Sequence, residues 1–188
     1  MKLPEDFVTI DEFYKMRETT NRLLEYVDGI VFMSPSPSTK HQRISGRLHA
    51  WLFNFLERRK CEVFHAPFDV ELSSTNMNET KIVIPDISVI CDKNGLMEDK
   101  YVGSPSLIIE IVSPSNQSHD LVFKLNLYMQ CGVKEYWIVN PMLNSVQVYV
   151  LDEDGQYKQL DMLREKGIIQ SSVLEGFQVN LEELFDSL

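Results

Sequence analysis

Apolar residues recur along the chain at spacings that separate predicted helices from predicted strands. Between Thr39 and Arg59 they return every three or four positions, which places them on one face of a long helix. The residues on this face are Ile44, Leu48, Trp51, Leu52, Phe55 and Leu56. A second helix is predicted from Asn116 to Cys131, because Gly132 follows it as a stop signal. The pattern therefore predicts two long helices.

The N-terminal part of the chain predicts a short helix and a β-hairpin. The helix covers Thr9 to Met16, with Thr9 as its N-cap and Glu12 completing a capping box. Asp28 and Gly29 then lie between two apolar, β-prone segments, LLEYV and IVFMS. This pair predicts a type I′ hairpin turn, because both central residues of such a turn need a positive φ angle. A loop is predicted over Ser34–Ser38.

Further apolar segments predict the strands of a central sheet. CEVFHAPFDVEL, IVIPDISVI and LIIEIVS lie between the long helices, and KEYWIV and SVQVYVL follow the second helix. The tail up to Leu188 predicts short strands and a final acidic turn of helix. The unit LIIEIVS–helix–EYWIV predicts a right-handed crossover between parallel strands. We therefore expect one domain over residues 1–188, an α/β or α+β sandwich whose mixed sheet is covered by two long helices.

Composition and charge narrow the class of protein. With 44% hydrophobic and 24% charged residues, the chain is typical of folded globular proteins. A net charge of −10 excludes a uniformly basic surface for nucleic acid. Residues 37–60 alone are positive, with the basic side chains Lys40, Arg43, Arg47, Arg58, Arg59 and Lys60 against the single acid Glu57. This segment is the best local candidate for contacting a phosphate backbone, with a solvated helix face as the alternative.

The cellular location is predicted from the patterns that signal peptides and membrane spans would show. The N-terminus has no continuous apolar run of the kind that a signal peptide needs, and no segment approaches the roughly 18 apolar residues of a membrane span. Cys61, Cys91 and Cys131 are 30 and 40 residues apart, which is no zinc-site spacing. We therefore predict a cytoplasmic protein without a membrane partner, whose cysteines are buried thiols.

Two acidic residues interrupt the apolar strands. If IVIPDISVI is one continuous strand, alternation places Asp86 on one face with four other residues. These are Ile82, Ile84, Ser88 and Ile90. In LIIEIVS, Glu110 likewise shares a face with Ile108 and Val112. Burying a lone carboxylate is costly unless a cation or a proton compensates for its charge, so both acids are candidate site residues.

Lys124 is the cation placed to meet these acids. Viewed down the axis of the second helix, Lys124 falls between Leu127 on one side and Tyr128 on the other. Its side chain is therefore expected to point towards the sheet. A structural ion pair with one carboxylate is the simpler interpretation. Since one lysine cannot neutralise two acids, a divalent cation is a natural third partner, and carboxylates with a few waters suit Mg²⁺. Such a site could activate water and stabilise charge on a phosphodiester, with Lys124 countering the developing negative charge.

The same residues match a known pattern. Pro85-Asp86, followed 24 residues later by Glu110 in an apolar strand, resembles the PD-(D/E)XK nuclease superfamily. The third position of that motif, two residues after the glutamate, is normally lysine and is Val112 here. Some members carry the lysine on the following helix, and Lys124 fits that migrated position.

The resemblance covers most of the chain, from Thr9 to Pro141. LLEYVDGIVFMSPSP, a helix opened by His41, IPDISVI, LIIEIVSPS, the helix with Lys124 and GVKEYWIVNP are together similar to the Uma family of restriction-endonuclease-like proteins. Weaker similarity continues through VLEGFQVNLEELF. The resemblance implies a restriction-endonuclease-like core and an additional metal-site acid, which is Glu25 in this sequence.

What the resemblance implies about function is a metal-dependent endonuclease. It would hydrolyse phosphodiester bonds of nucleic acid, with DNA favoured, and use Mg²⁺ or else Mn²⁺. Asp86, Glu110 and Glu25 would hold the metal, and Lys124 would stabilise the attacking hydroxide and the charge of the transition state. Related nucleases often act as dimers to cut both strands, so a homodimer is also implied.

Two other functions stay open at this point. Val112 in the usual lysine position and the acidic composition favour a catalytically inactive nuclease-fold protein that acts as a binding or assembly module. The other is a core held by a salt bridge, without a nucleic-acid role.

Several residues have two interpretations. Glu25 is either a site acid or an exposed strand residue, and His41 either contacts phosphate or a metal-bound water or caps the core. Ser113–Ser115 either forms a turn or offers groups to a phosphate. Tyr136 and Trp137 are predicted as core aromatics, with base stacking as the minority alternative.

Overall fold

The structure is a computed structural model that describes residues 7–33, 36–73, 80–113 and 119–186, with the backbone alone for residues 119–121. Its helices are α1 (Ile10–Glu18), α2 (Thr39–Leu56), α3 (His119–Gln130) and α4 (Leu181–Phe185), with a 3-10 turn over Lys93–Gly95. Its strands are β1 (Leu24–Val27), β2 (Ile30–Met33), β3 (Glu62–His65), β4 (Asp69–Leu72), β5 (Lys81–Val83), β6 (Ile87–Ile90), β7 (Lys100–Val102), β8 (Leu107–Ile111), β9 (Glu135–Asn140), β10 (Ser145–Leu151), β11 (Tyr157–Arg164), β12 (Ile168–Gln170) and β13 (Gln178–Asn180).

The strands form two mixed sheets and a small ribbon. One sheet has six strands in the order β11-β10-β9-β8-β6-β3, and the other has five in the order β2-β1-β5-β4-β7. β12 and β13 form the two-stranded ribbon. β8 and β9 pair in parallel across α3, with Glu110 opposite Ile138, which confirms the predicted crossover unit. The described helices include none that is both long enough and apolar enough to cross a membrane.

The six-stranded sheet lies between the two long helices, as predicted. The apolar face of α2 covers one side, where Ile44, Leu48 and Leu52 are almost fully buried against residues such as Trp137. On the other side, Tyr128 of α3 belongs to a second cluster that also contains side chains of the five-stranded sheet. Alternation along β8 divides its residues between the two clusters. The fold is therefore the predicted α+β sandwich around a mixed sheet.

The N-terminal predictions are confirmed at the level of single residues. The Thr9 backbone N–H donates to Glu12 Oε2 at 2.8 Å and Thr9 Oγ1 accepts from the Glu12 N–H, which completes the capping box. Asp28 and Gly29 adopt φ angles of 52° and 88° between β1 and β2. The predicted loop Ser34–Ser38 is described only from residue 36 onward.

The prediction that IVIPDISVI is one continuous strand is wrong, and the β-rich segment CEVFHAPFDVEL also contains two strands in different sheets. CEVFHAPFDVEL divides into β3 and β4, and IVIPDISVI divides into β5 and β6. Pro67 and Pro85 lie at the breaks, where a residue without an N–H donor interrupts no ladder. Asp86 therefore lies just before β6 instead of on a continuous strand face. The apolar pattern runs through the second break because β5 and β6 are both buried.

The prediction of three buried thiols is wrong for two of the cysteines. Glu62 pairs with Ile90 in the antiparallel β3–β6 ladder, so Cys61 and Cys91 come next to each other and form a disulfide. Cys131 is free and 3% exposed, as predicted. The register of a ladder, which spacing along the chain does not reveal, decides this pairing. The cytoplasmic location stays a prediction, and the disulfide weighs against it because cytosolic thiols are generally kept reduced.

The predicted strands and acidic helix of the tail close the core beneath α2. Arg47 of α2 donates to the carbonyl oxygens of Glu183, Leu184 and Asp186 around the end of α4. Leu181 and Leu184 of α4 are fully buried in the first core cluster. α2 is thus held between the sheet and the tail, which fixes the position of its first turn.

Candidate functional site

Glu25, Glu110 and Lys124 come together from three separate elements. Lys124 Nζ of α3 donates to Glu110 Oε1 of β8 at 2.8 Å and to Glu25 Oε1 of β1 at 3.3 Å. Their side chains are 13%, 13% and 7% exposed for Lys124, Glu110 and Glu25, so these charges lie largely out of water. The structure therefore places Lys124 towards the sheet, as its position on the helix predicted.

Asp86 joins this group through the backbone of β8. Its Oδ2 accepts from the N–H of Ile111 at 2.8 Å, and Ile111 directly follows Glu110. Asp86 can reach this strand because it lies at the break before β6, and β6 pairs with β8. The two predicted site acids are thus held side by side at the same point of the six-stranded sheet.

Glu25 is buried, which excludes the interpretation as an exposed strand residue. The residue is 5% exposed. Its Oε1 accepts from the backbone N–H of Ile84 at 2.8 Å as well as from Lys124. Ile84 lies in the break between β5 and β6, so Glu25 provides the acceptor for a buried amide that follows the last residue of β5. Glu25 therefore links the break that carries Asp86 to the lysine.

The surroundings of the Glu110–Lys124 ion pair raise the pKa values of both partners. Burial raises the pKa of Glu110 to about 7, since the attraction of Lys124 is opposed by repulsion from Asp86 and Glu25. Burial disfavours the charge on Lys124, yet Glu110 and Glu25 together raise its pKa well above the ordinary range. Lys124 is therefore a permanent cation facing more carboxylates than it can neutralise.

Tyr128 is a site residue that sequence reasoning missed. Its hydroxyl donates to Glu110 Oε1 at 2.6 Å, and its side chain is completely buried. Burial and the nearby Glu110 carboxylate raise the pKa of Tyr128 well above its usual range, so the hydroxyl keeps its proton. The available signal was its place one turn after Lys124 on the same side of α3. Tyr128 and Lys124 together hold Oε1 and so orient the carboxylate.

His41 also lies at this site. Its Nε2 is 3.2 Å from Asp86 Oδ2, and its side chain is 12% exposed. Ser38 caps the first turn of α2 and accepts from the His41 N–H at 3.2 Å, which sets the direction of the helix at this point. Burial disfavours a charged imidazole, but the hydrogen bond and charge of Asp86 produce a net rise in the pKa of His41. The structure thus brings His41 to the predicted acids.

The donor set fits a metal ion held by two carboxylates. Among the side chains that the structure describes, no group of three or more His, Cys, Asp or Glu could hold a metal. Mg²⁺, however, is commonly bound by one or two carboxylates and completes its shell with waters and substrate phosphates. Asp86 and Glu110, whose contacts described above fall on Oδ2 and Oε1, are the residues that would hold such an ion.

Other predicted candidates have structural roles or lie outside the described residues. Val112, in the usual lysine position, is 9% exposed within the second core cluster. Tyr136 and Trp137 are buried, as predicted. Of the segment Ser113–Ser115, only Ser113 is described, so the choice between a turn and a phosphate contact lies outside the described residues.

Lys40 and Arg47, two of the six basic side chains in residues 37–60, are engaged by hydrogen bonds within the protein. Lys40 Nζ donates to Asn144 Oδ1 at 2.9 Å, and Arg47 donates to the carbonyls around α4. Arg59 stacks over the ring of Phe55, 3.9 Å from its centroid. Arg43 is exposed on the surface of the helix. Lys40 and Arg47 are therefore engaged, whereas Arg43, Arg58, Arg59 and Lys60 are exposed.

The fold and the placement of the acids define a restriction-endonuclease-like protein. The crystal structure of a putative nuclease belonging to DUF820 from Anabaena variabilis ATCC 29413 superposes with a TM-score of 0.76 and 21% sequence identity, covering 95% of this chain and 97% of that chain. The family model described as Uma2, putative restriction endonuclease, matches residues 10–182, and the chain belongs to this family. An uncharacterized protein of Synechocystis sp., slr1290, is 26% identical over 164 residues, which are 84% of each chain.

Proposed function

We propose that this protein is a metal-dependent endonuclease that hydrolyses phosphodiester bonds of nucleic acid, with DNA as the favoured substrate. The observation that carries the proposal is the convergence of Asp86, Glu110 and Lys124 on one buried point of the sheet. The family description names a restriction endonuclease and the matched structure is titled a nuclease, which supports the general class.

The residues of the site divide into ligands and groups that act on the substrate. Asp86 and Glu110 would hold Mg²⁺, or Mn²⁺ in its place. The ion would supply positive charge against the phosphodiester and a water of lowered pKa. Lys124, which stays charged, would counter the negative charge that develops on the phosphate. Glu25, which the resemblance implies as a further metal-site acid, would also position Lys124 through their 3.3 Å contact.

His41 would act beside Asp86 at the first turn of α2. Its Nε2 hydrogen bond to Asp86 holds the imidazole at the edge of the site, where it could contact a phosphate oxygen or a water. Tyr128 would keep the Glu110 carboxylate in one orientation by donating to Oε1.

Cleavage assays on labelled DNA and RNA oligonucleotides with Mg²⁺ or Mn²⁺ test the proposal. We expect metal-dependent cleavage by the unmodified chain, with DNA cut faster. Asp86→Asn, Glu110→Gln and Lys124→Met should each reduce the rate by at least about a hundredfold. Glu175→Gln, which changes an exposed loop acid, is the matched control and should cleave normally. Cleavage that survives Asp86→Asn would refute the assignment of the site.

The proposal includes a homodimer, because cutting both strands of a duplex needs two such sites. Sedimentation equilibrium of the purified chain tests this part. A monomer at the concentration of the cleavage assay would exclude the dimer and leave single-strand cutting by one site.

A second candidate is a catalytically inactive binding module with the same fold. The observation that favours it is Val112, which lies in the core where the superfamily pattern has its lysine. This candidate predicts tight oligonucleotide binding without cleavage under any metal condition, so the same assays separate the two functions.

A further inference from the structure

One flank of α2 carries a row of accessible residues along the edge of the six-stranded sheet. Gln42, Gly46, His49 and Phe53 follow at spacings of four, three and four residues, which places them on one side of the helix. None is fully buried, and Phe53 is 61% exposed. His65 of β3, also exposed, lies next to this flank. We call these five residues the α2–β3 strip.

Three aromatic rings of the strip contact one another in series. The rings of Phe53 and His49 stack with centroids 6.2 Å apart and planes at 30°. The rings of His49 and His65 meet edge to face at 4.6 Å. His65 Nδ1 lies 2.8 Å from the carbonyl oxygen of Ala66, so a proton on Nδ1 donates there and leaves Nε2 as an acceptor. The strip thus combines flat ring surfaces with a hydrogen-bonding group.

The strip adjoins the carboxylate site. His65 is the cross-strand neighbour of Ile87, and the N–H of Ala66 donates to the carbonyl oxygen of Asp86 at 3.1 Å. On the helix, Gln42 directly follows His41, whose Nε2 contacts the same Asp86. With a rise of about 1.5 Å per residue, the helical part of the strip runs for about 16 Å. It is therefore long enough for several nucleotides next to the site.

The charges around the strip suit a polyanion. Its five residues include no acid, and four of them lie within residues 37–60, which have a net charge of +5. The exposed Arg43 lies one turn before Gly46. Glu62 of β3 alternates to the other face of that strand from His65 and pairs with Lys93. Gly46 has open space where a side chain would stand, so the backbone there is accessible.

We propose that the α2–β3 strip binds unstacked bases of a single-stranded stretch of nucleic acid, next to the bond that Asp86 and Glu110 address. Exposed aromatic rings bind bases of any sequence by stacking, since every base has a flat π-face. Phe53 provides the outer stacking surface, and His49 and His65 continue it towards Asp86. This inference rests on the proposed function, which supplies the nucleic-acid substrate.

Fluorescence anisotropy without divalent metal measures this binding separately from cleavage. The probe is a labelled oligothymidylate of about twelve nucleotides, compared with a duplex of the same length. Phe53→Ala should weaken binding of the single strand by about tenfold or more, and Phe53→Trp should restore it. Leu160→Ala, which removes a 57% exposed apolar side chain on β11, is the control and should bind as the unmodified chain does.

Two outcomes overturn the inference. One is single-strand binding by Phe53→Ala equal to that of the unmodified chain. The other is dissociation of a dimer by Phe53→Ala with unchanged single-strand binding, which would make the strip a contact between copies. Circular dichroism of each variant establishes that the fold is kept.

Cleavage assays distinguish failure of the inference about the strip from failure of the proposed nuclease function. If the unmodified chain cleaves with Mg²⁺ but Phe53→Ala binds the single strand normally, the strip fails and the nuclease stands. If Phe53→Ala loses binding while the unmodified chain cleaves nothing, the strip stands and the nuclease fails.

Discussion

At the scale of single residues, the site is organised around one carboxylate oxygen. Glu110 Oε1 accepts from both the Lys124 ammonium and the Tyr128 hydroxyl. Hydrogen bonds to charged groups are stronger than neutral ones, and a buried charge that loses its partner is costly. The site residues should therefore affect stability as well as activity.

Lys124→Met tests the energetic role of the buried cation. It leaves Glu110 and Glu25 without their shared positive partner, so the free energy of unfolding should fall by about 3–5 kcal/mol in urea titrations. The matched control is Lys158→Met, because Lys158 is 74% exposed and pairs with Asp152 at the surface. That change should cost less than about 1 kcal/mol.

The double variant Glu110→Leu with Lys124→Met separates a site from a simple ion pair. Apolar replacement of both partners should recover most of the lost stability, since the costly unpaired charge is gone. A loss for Lys124→Met no larger than that of the surface control would contradict the burial argument. Recovered stability with normal cleavage would show that the pair is structural only.

The raised pKa of Glu110 predicts a pH dependence of stability. The folded chain holds this proton up to about pH 7, whereas the ordinary pKa of the carboxyl is 4.5. Between these two pH values the folded state binds more protons than the unfolded state, so the free energy of unfolding falls as pH rises and then levels off.

Glu110→Gln removes this contribution because an amide does not titrate. Urea unfolding of the unmodified chain and of Glu110→Gln is measured across that pH range. As pH rises, the unfolding free energy of the unmodified chain should fall relative to that of Glu110→Gln. A difference that stays constant with pH would contradict the raised pKa.

At the scale of elements, local backbone conformation positions the site. The β1–β2 turn orients β1 and with it Glu25. The break at Pro85 leaves the backbone N–H of Ile84 available to donate a hydrogen bond to Glu25. Both features depend on a few residues with restricted conformation. Glycine substitutions test the turn directly, because Gly29 adopts a positive φ in the turn whereas Gly46 lies within a helix.

Gly29→Ala and Gly46→Ala should change stability in opposite directions. Gly29 has a φ of 88° and an added Cβ would come within 2.3 Å of the Phe7 ring, so alanine there should destabilise the fold by about 1–3 kcal/mol. Gly46 lies within α2 with open space around its Cα, so alanine should stabilise the fold by about 0.5–1 kcal/mol. Thermal unfolding of both variants measures this, and equal signs would contradict the assigned turn.

At the scale of the whole molecule, the two large sheets meet around α3. Its buried side chains join the six-stranded and five-stranded sheets in one cluster, which also holds Cys131. The disulfide between Cys61 and Cys91 links edge strand β3 to β6. It lies at one end of the β3–β6 ladder, and Asp86 lies at the other end. The reactivity of the three cysteines therefore tests whether these elements are assembled as described.

Thiol titration should count these cysteines in three steps. The native chain should react slowly, because Cys131 is buried and burial raises its pKa to about 11. Denaturation without reductant should expose one thiol, and reduction should expose all three. Three reactive thiols in the unreduced, denatured chain would contradict the disulfide.

The sequence by itself determined the features that depend on neighbouring residues. The capping box, the Asp28-Gly29 turn, the apolar face of α2 and the β8–α3–β9 crossover follow from periodicity and turn chemistry. The same periodicity identified Asp86, Glu110 and Lys124 as polar residues in apolar surroundings. Resemblance to the Uma family, and not periodicity, added Glu25.

Only the tertiary structure decided the features that depend on distant pairing. Ladder register joined Cys61 to Cys91, and two sheets divided the apolar segments that looked continuous in sequence. The burial of Glu25 and the contact of Tyr128 with Glu110 likewise require strands and helices far apart along the chain. The physical reason is that local patterns fix how each element forms, whereas packing of buried faces fixes which elements meet.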